Sequence, residues 1–149
     1  MAIIRGAHRS EAATLSGLAR TAYAHYVERM GGAEPAPMRE DYPSLIDAGQ
    51  VWVAELDGAV VGLLVLKVEA DHLLIDNVAV APTAQGTGVG RQLLSFTDAY
   101  ARERDLREVR LYTNEAMTEN LAYYPRHGFV ETHRAVDHGY RRVYFTKHL

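Results

Sequence analysis

Glycines at positions 86, 88 and 90 follow an apolar, β-branched run and open a segment with helical spacing. The run reads His72-Leu-Leu-Ile-Asp-Asn-Val-Ala-Val80, and Pro82, which cannot donate to a sheet ladder, predicts its end. Val89, Leu93, Phe96 and Tyr100 then recur on one helical face. A strand, a glycine turn and a helix start together make an anion site. The first helical N–H groups have no internal partner, and the helix dipole favours negative charge there. Glycine removes the Cβ that would hold a phosphate away from the backbone.

Three ligand classes use such a turn. A dinucleotide site needs Gly-x-Gly-x-x-Gly, but Arg91 stands where the third glycine belongs. A nucleoside-triphosphate loop needs Gly-Lys-Ser/Thr, but Gly90 is followed by Arg91-Gln92. What remains is Gln85-x-x-Gly88-x-Gly90 behind a strand ending Val78-x-Val80-x-Pro82. This segment resembles the acyl-CoA-binding signature of the GNAT superfamily of N-acetyltransferases. The resemblance implies acetyl-CoA as acyl donor, with its pyrophosphate held by the amides of Gln85, Gly86, Thr87, Gly88, Val89, Gly90 and Arg91. It also implies that Val78, Ala79 and Val80 offer backbone groups to the pantetheine arm and an oxyanion donor to the thioester. Their side chains are expected to pack in the core.

Acetyl transfer to an amine also needs an acid for the departing thiolate and a base for the ammonium. Tyr124 lies four residues before Gly128-Phe129, where members of the family end a helix with Tyr-x-x-x-Gly-Phe. A phenol is neutral at pH 7 and can donate a proton. Tyr123 should face elsewhere on the helix. Pro125 removes a helical N–H and is expected to end or kink the helix early. The family's CoA-contacting asparagine falls on Met117, so the role passes to Asn120, one turn on, with Asn114 as its rival. Asp76 on the central strand is the leading base, with Glu69 and Glu115 as alternatives acting through water. The acceptor site is expected among the first two helices, the loop from Gly31 to Asp41 and the C-terminal strands, drawing on Tyr23, Tyr26, Met30 and Tyr140.

The elements that must position these groups follow from pattern. A short strand at Ala2–Arg5 precedes a helix from Glu11 with Ser10 as N-cap, and its apolar face runs to Met30. A short helix is predicted from Tyr42 to Ala48. Strands at Val51–Leu56 and Val60–Val68 flank an Asp57-Gly58 turn. After the glycine-led helix come a strand at Val109–Thr113 and a helix at Glu119–Tyr124. Strands at Val130–Ala135 and Tyr140–Thr146 close the chain. The order β-α-α-β-β-β-α-β-α-β-β predicts an α+β fold. Its sheet is mixed and mostly antiparallel, with about seven strands and about four helices on its two faces. No linker or repeat divides residues 1–149, so one domain is expected.

With net charge −3 and pI near 6.1, no basic surface points to nucleic acid. The absence of cysteine excludes disulfides, a cysteine nucleophile and Cys-based zinc sites. The histidines show no short metal spacing, so no metal is expected. No run is long enough to span a membrane, and Met1 to His8 lacks a signal-peptide core, so a cytoplasmic protein is expected. The expected activity is direct transfer to a primary amine of a small molecule or peptide, without a covalent enzyme intermediate. Its rivals are a non-catalytic acyl-CoA-binding or regulatory module and a nucleotide-binding protein. The resemblance further implies a homodimer.

Overall fold

The computed structural model describes residues 1–149. Seven strands form one sheet: β1 (Ile3–Gly6), β2 (Val51–Leu56), β3 (Ala59–Val68), β4 (Leu73–Val80), β5 (Glu108–Asn114), β6 (Val130–Asp137) and β7 (Tyr140–His148). Four helices accompany them: α1 (Ala12–Arg29), α2 (Tyr42–Asp47), α3 (Val89–Glu103) and α4 (Thr118–Tyr123). The sheet order is β1-β2-β3-β4-β5-β7-β6, antiparallel throughout except for the parallel pair β4–β5. The expected mixed sheet, strand count and helix count are all present.

Local chemistry accounts for the turns. Asp57-Gly58 and His138-Gly139 each carry two positive φ angles, the backbone that two-residue hairpins require. The start of α1 differs from expectation. Ser10 is not its cap; a single 3₁₀ turn over Arg9–Glu11 leads into a helix that begins at Ala12. The Glu11 carboxylate accepts the His8 N–H at 2.8 Å and is gripped by Arg5 at two oxygens, both at 2.9 Å. A carboxylate held this way outcompetes a serine hydroxyl as the local acceptor. Asp41 caps α2, accepting the Ser44 N–H.

The sheet separates two apolar cores. One packs α1 and α2 onto Val51, Val53, Leu63, Val65 and Ala79. The other packs α3 and the C-terminal strands onto Leu64, Leu66, Leu73, Ile75 and their neighbours. Alternate residues of β3 therefore face different helices, the period-two pattern of a strand buried on both sides.

Candidate functional site

Strand β4 carries an irregularity that organises the site. Val65 of β3 pairs with Asn77, but the next residue, Leu66, pairs with Ile75. Asp76 is the extra residue of a β-bulge. Before it, Leu73 and Ile75 face the α3 core; after it, Ala79 faces α1 and Asn77 reaches Tyr42 at the start of α2. One inserted residue exchanges the two faces, as the strand period demands. The bulge also coincides with the point where β4 leaves β5. The parallel pairing covers Leu73, Leu74 and Ile75 against Val109, Arg110 and Leu111 and goes no further.

Beyond that point the edge of β4 faces an open gap. The Ala81 N–H donates to Val61 C=O at 2.8 Å. By the alternation of an antiparallel ladder, Ala79 and Asn77 also turn their backbone groups to β3, and Val78 and Val80 turn theirs to the gap. Both gap-facing carbonyls are already occupied. Tyr23 Oη donates to Val78 C=O at 2.8 Å, and Gln85 Nε2 donates to Val80 C=O at 3.3 Å. The gap therefore presents two backbone N–H donors. The side chains of Val78 and Val80 pack against the α3 core, as expected.

A groove of about 790 Å³ runs from this gap along the glycine turn to the start of α3. It is lined by Val78, Ala79, Val80 and the expected loop residues Gln85 to Gly88, with Gly90 and Arg91. Val89 is the exception: its side chain is buried in the core, so only its backbone faces the turn. Gly88 is the N-cap of α3 with φ +92°, a left-handed geometry that glycine adopts without a Cβ clash. Gly90 serves a different end: a Cβ there would sit 3.0 Å from Tyr123 Oη, so its absence lets that ring close over the first turn of α3. Arg126, which sequence reasoning did not single out, joins Arg91 at the groove wall. Burial and these two cations hold His127 below its ordinary pKa.

A smaller cavity of about 80 Å³ opens on the other side of the gap. Tyr23, Val78, Asn120 and Tyr124 line both spaces and so stand at their junction. Tyr124 is buried, with its ring against Phe129 and Phe145. Pro125 ends α4 at Tyr123, one residue before the expected end, but does not displace Tyr124. That residue keeps right-handed helical angles (φ −64°, ψ −40°), and its N–H donates to Asn120 C=O at 3.1 Å. Pro125 simply starts a 3₁₀ turn, where no N–H is needed. Burial raises the Tyr124 pKa, so the phenol stays protonated at neutral pH. Its hydroxyl makes no hydrogen bond within the protein, whereas the Tyr23 hydroxyl is engaged by Val78 and Asn77.

The two asparagines also separate. Asn120 Nδ2 donates to Thr113 Oγ1 at 3.0 Å and stands at the junction. Asn114 Oδ1 accepts the Ala116 N–H and touches only the smaller cavity. Of the expected acceptor-side residues, Tyr23, Met30 and Tyr140 line that cavity, and Tyr140 Oη donates to Glu34 C=O. Tyr26 lies in the groove instead, donating to Glu119 at 2.8 Å. Among the candidate bases, Asp76 lines the cavity, while Glu69 and Glu115 do not; Glu115 pairs with Arg141 at 3.5 Å.

Comparison with known proteins follows the same line. The family model of the acetyltransferase (GNAT) domain matches residues 47–131. A mycothiol acetyltransferase of Cellulomonas flavigena is 37% identical over 129 residues, covering 78% of this chain and 36% of its own. This chain thus spans little more than a third of that relative. Aminoglycoside N(6')-acetyltransferase type 1 of Stenotrophomonas maltophilia is 32% identical over 114 residues, covering 67% of this chain and 72% of its own. Among solved structures, PaiA N-acetyltransferase from Thermoplasma acidophilum, in complex with coenzyme A, matches with a TM-score of 0.81. That match covers 100% of this chain and 99% of that one at 19% identity, a likeness of fold.

Proposed function

The chain belongs to the GNAT family of acetyltransferases, and from that premise we propose that it moves an acetyl group from acetyl-CoA directly to a primary amine, with Tyr124 as general acid. The observation that carries the reading is the gap beside β4. Two backbone N–H donors face it, their carbonyls are capped from within, and a buried phenol with a free hydroxyl stands at its far side.

Each feature has a chemical task. The loop amides, with Arg91 and Arg126, suit the pyrophosphate of an acyl-CoA. The gap suits the pantetheine arm, which carries amides able to pair with a strand edge. The Val78 N–H is the donor nearest the junction and is assigned to the developing oxyanion. The amine approaches from the smaller cavity, Asp76 side first, and attacks the carbonyl carbon. The C–S bond breaks as the thiolate takes the Tyr124 proton. Asn120 at the junction is assigned to the acyl-donor arm.

Two measurements test this. Acetyl-CoA should raise the melting temperature of the protein, and ATP and NAD should not. Thiol release from acetyl-CoA should then depend on an added primary amine drawn from a mixed panel. Acetyl-CoA binding without thiol release across the panel would replace this reading with that of a non-catalytic binding module.

A further inference from the structure

The smaller cavity holds a group that the mechanism above leaves without a complete account. Asp76 is 7% exposed at its side chain, and its Oδ2 atom is buried with no hydrogen-bond partner. Lys67 Nζ lies 3.6 Å from that oxygen, too far for a hydrogen bond. An unsatisfied buried carboxylate oxygen is costly unless something else supplies a donor. The other carboxyl lining the cavity is Glu40, from the loop before α2.

The loop that carries Glu40 is anchored by a chain of hydrogen bonds to the residue that follows Asp76. Tyr42 Oη donates to Pro37 C=O at 2.8 Å and accepts from Asn77 Nδ2 at 3.0 Å. Asn77 is the neighbour of the bulge. The loop that carries Glu40 is therefore tied to the strand that carries Asp76, and the two carboxyls line one small cavity. Two carboxylates in one buried place cannot both ionise freely. Burial first, and then Asp76, push Glu40 up to about 7. A protonated Glu40 carries a hydroxyl able to supply the donor that Asp76 Oδ2 lacks.

The surrounding charges leave room for one more cation. Lys67 on β3 offsets one carboxylate. Arg142 on β7 is paired with Asp137 and is not free to offset the other. The remaining titratable groups lining the cavity are phenols: Tyr23 on α1, Tyr112 on β5, Tyr124 after α4 and Tyr140 on β7, with Tyr42 on α2 close to both carboxyls. Phenols stay neutral at pH 7 and add no charge to the cavity.

We propose that Glu40 and Asp76 act as one proton-sharing carboxyl pair that binds the acceptor as an ammonium ion and then takes its proton, so that the preferred acceptors are cationic alkyl amines. This rests on the acetyl-transfer reading and names the acceptor class for it. An entering ammonium displaces the shared proton to solvent and meets two carboxylates. One N–H proton then passes to the pair, leaving a neutral amine. The nitrogen lone pair forms the C–N bond, the C–S electrons leave with sulfur, and sulfur takes the Tyr124 proton. The second proton lost by nitrogen restores the Tyr124 phenol. The products are the amide, the free thiol and a pair again holding its shared proton. A carboxyl tuned toward the working pH suits both tasks better than an ordinary one.

The test uses the full chain without acetyl-CoA first. Carboxyl-carbon NMR should show Glu40 titrating near 7 in the wild type. In Asp76→Asn it should fall toward the ordinary glutamate value of 4.5. Propylamine at pH 7 should drive Glu40 to the carboxylate, lowering its midpoint by about one unit or more, and propanol should not. With acetyl-CoA present, kcat/KM for propylamine should rise with pH through about 7. Glu40→Gln should abolish that rise and lower kcat/KM about 10²-fold, with acetyl-CoA affinity unchanged. An alkoxyamine, already neutral at pH 7, should lose far less. Ordinary titration of Glu40 in the wild type overturns the pair, as does acetyl transfer indifferent to Glu40→Gln; the latter leaves the acetyl-transfer reading standing. A coupled pair that responds to propylamine without any transfer supports the pair and overturns the acetyl-transfer reading.

Discussion

Tyr124→Phe and Tyr23→Phe each remove one hydroxyl from the junction of the two cavities, and the structure assigns them opposite consequences. The Tyr124 hydroxyl engages no group of the protein, so its loss leaves nothing unsatisfied. Its ring contacts with Phe129 and Phe145 survive in phenylalanine. Stability should change by less than about 0.5 kcal/mol. The rate should respond strongly, because a positioned general acid is worth about 10²–10⁴-fold. Tyr23→Phe removes the single hydroxyl proton that Val78 C=O and Asn77 Oδ1 share. Leaving buried acceptors unpaired costs about 1–3 kcal/mol. At roughly 2–4 °C per kcal/mol for a chain of this size, the melting temperature should fall measurably. The assay pairs thermal melts with thiol release at saturating acetyl-CoA, and Tyr123→Phe is the control one position away. Acetyl-CoA affinity should be nearly unchanged in Tyr124→Phe. The rate loss should shrink for acyl donors whose thiol is more acidic, since they need the proton less. Because burial raises the phenol's pKa, no alkaline loss of this acid should appear below about pH 10. A Tyr124→Phe protein that keeps more than about half of the wild-type kcat, far above the range for a lost general acid, would make Tyr124 a packing residue.

Three further outcomes are expected. Gly88→Ala places a Cβ on a residue at φ +92° and should turn the α3 amides away from the phosphate, weakening CoA about tenfold, or 1.4 kcal/mol, by calorimetry. Unchanged affinity in the folded variant would remove the loop from the binding site. Asn120→Ala should weaken acetyl-CoA binding and Asn114→Ala should not, because Asn120 alone of the two reaches the groove; the reverse order would reassign the contact to the end of β5. Arg5 holds Glu11 down to about 2, so the folded pKa lies below the unfolded one. That stabilisation is complete above the ordinary carboxylate range and fades as pH falls toward 2. Glu11→Gln should cost about 1–2 kcal/mol at pH 7 after allowance for solvent screening, and urea melts should show the deficit narrowing by pH 3; a constant deficit would mean that packing, not charge, is responsible.

Much of this protein is written in short-range chemistry. Pro82 stops a strand, Gly88 starts a helix in a geometry that other residues avoid, and Asp57-Gly58 turns a hairpin. Each depends on a few neighbouring residues, so the glycine-led turn and the order of elements along the chain were legible without coordinates. Tyr124 was singled out by the family resemblance, through its spacing from Gly128-Phe129. The start of α1 was not legible, since Arg5 and Glu11 meet across the end of β1 and override Ser10. Nor was the register of β4. From His72 to Val80 the chain reads as one apolar, β-branched run, and only β3 beside it shows that Asp76 is an extra residue. That bulge turns Asn77 to the acceptor side and coincides with the parting of β4 from β5. The capping of two gap-facing carbonyls by Tyr23 and Gln85 is likewise a meeting of distant segments. So is the placing of Glu40 and Asp76 in one cavity, with the Glu40 loop tied down through Tyr42. Backbone preference acts over a turn or two and leaves its mark in the sequence; register and side-chain pairing are set by what the fold brings alongside, and tertiary structure alone decided them.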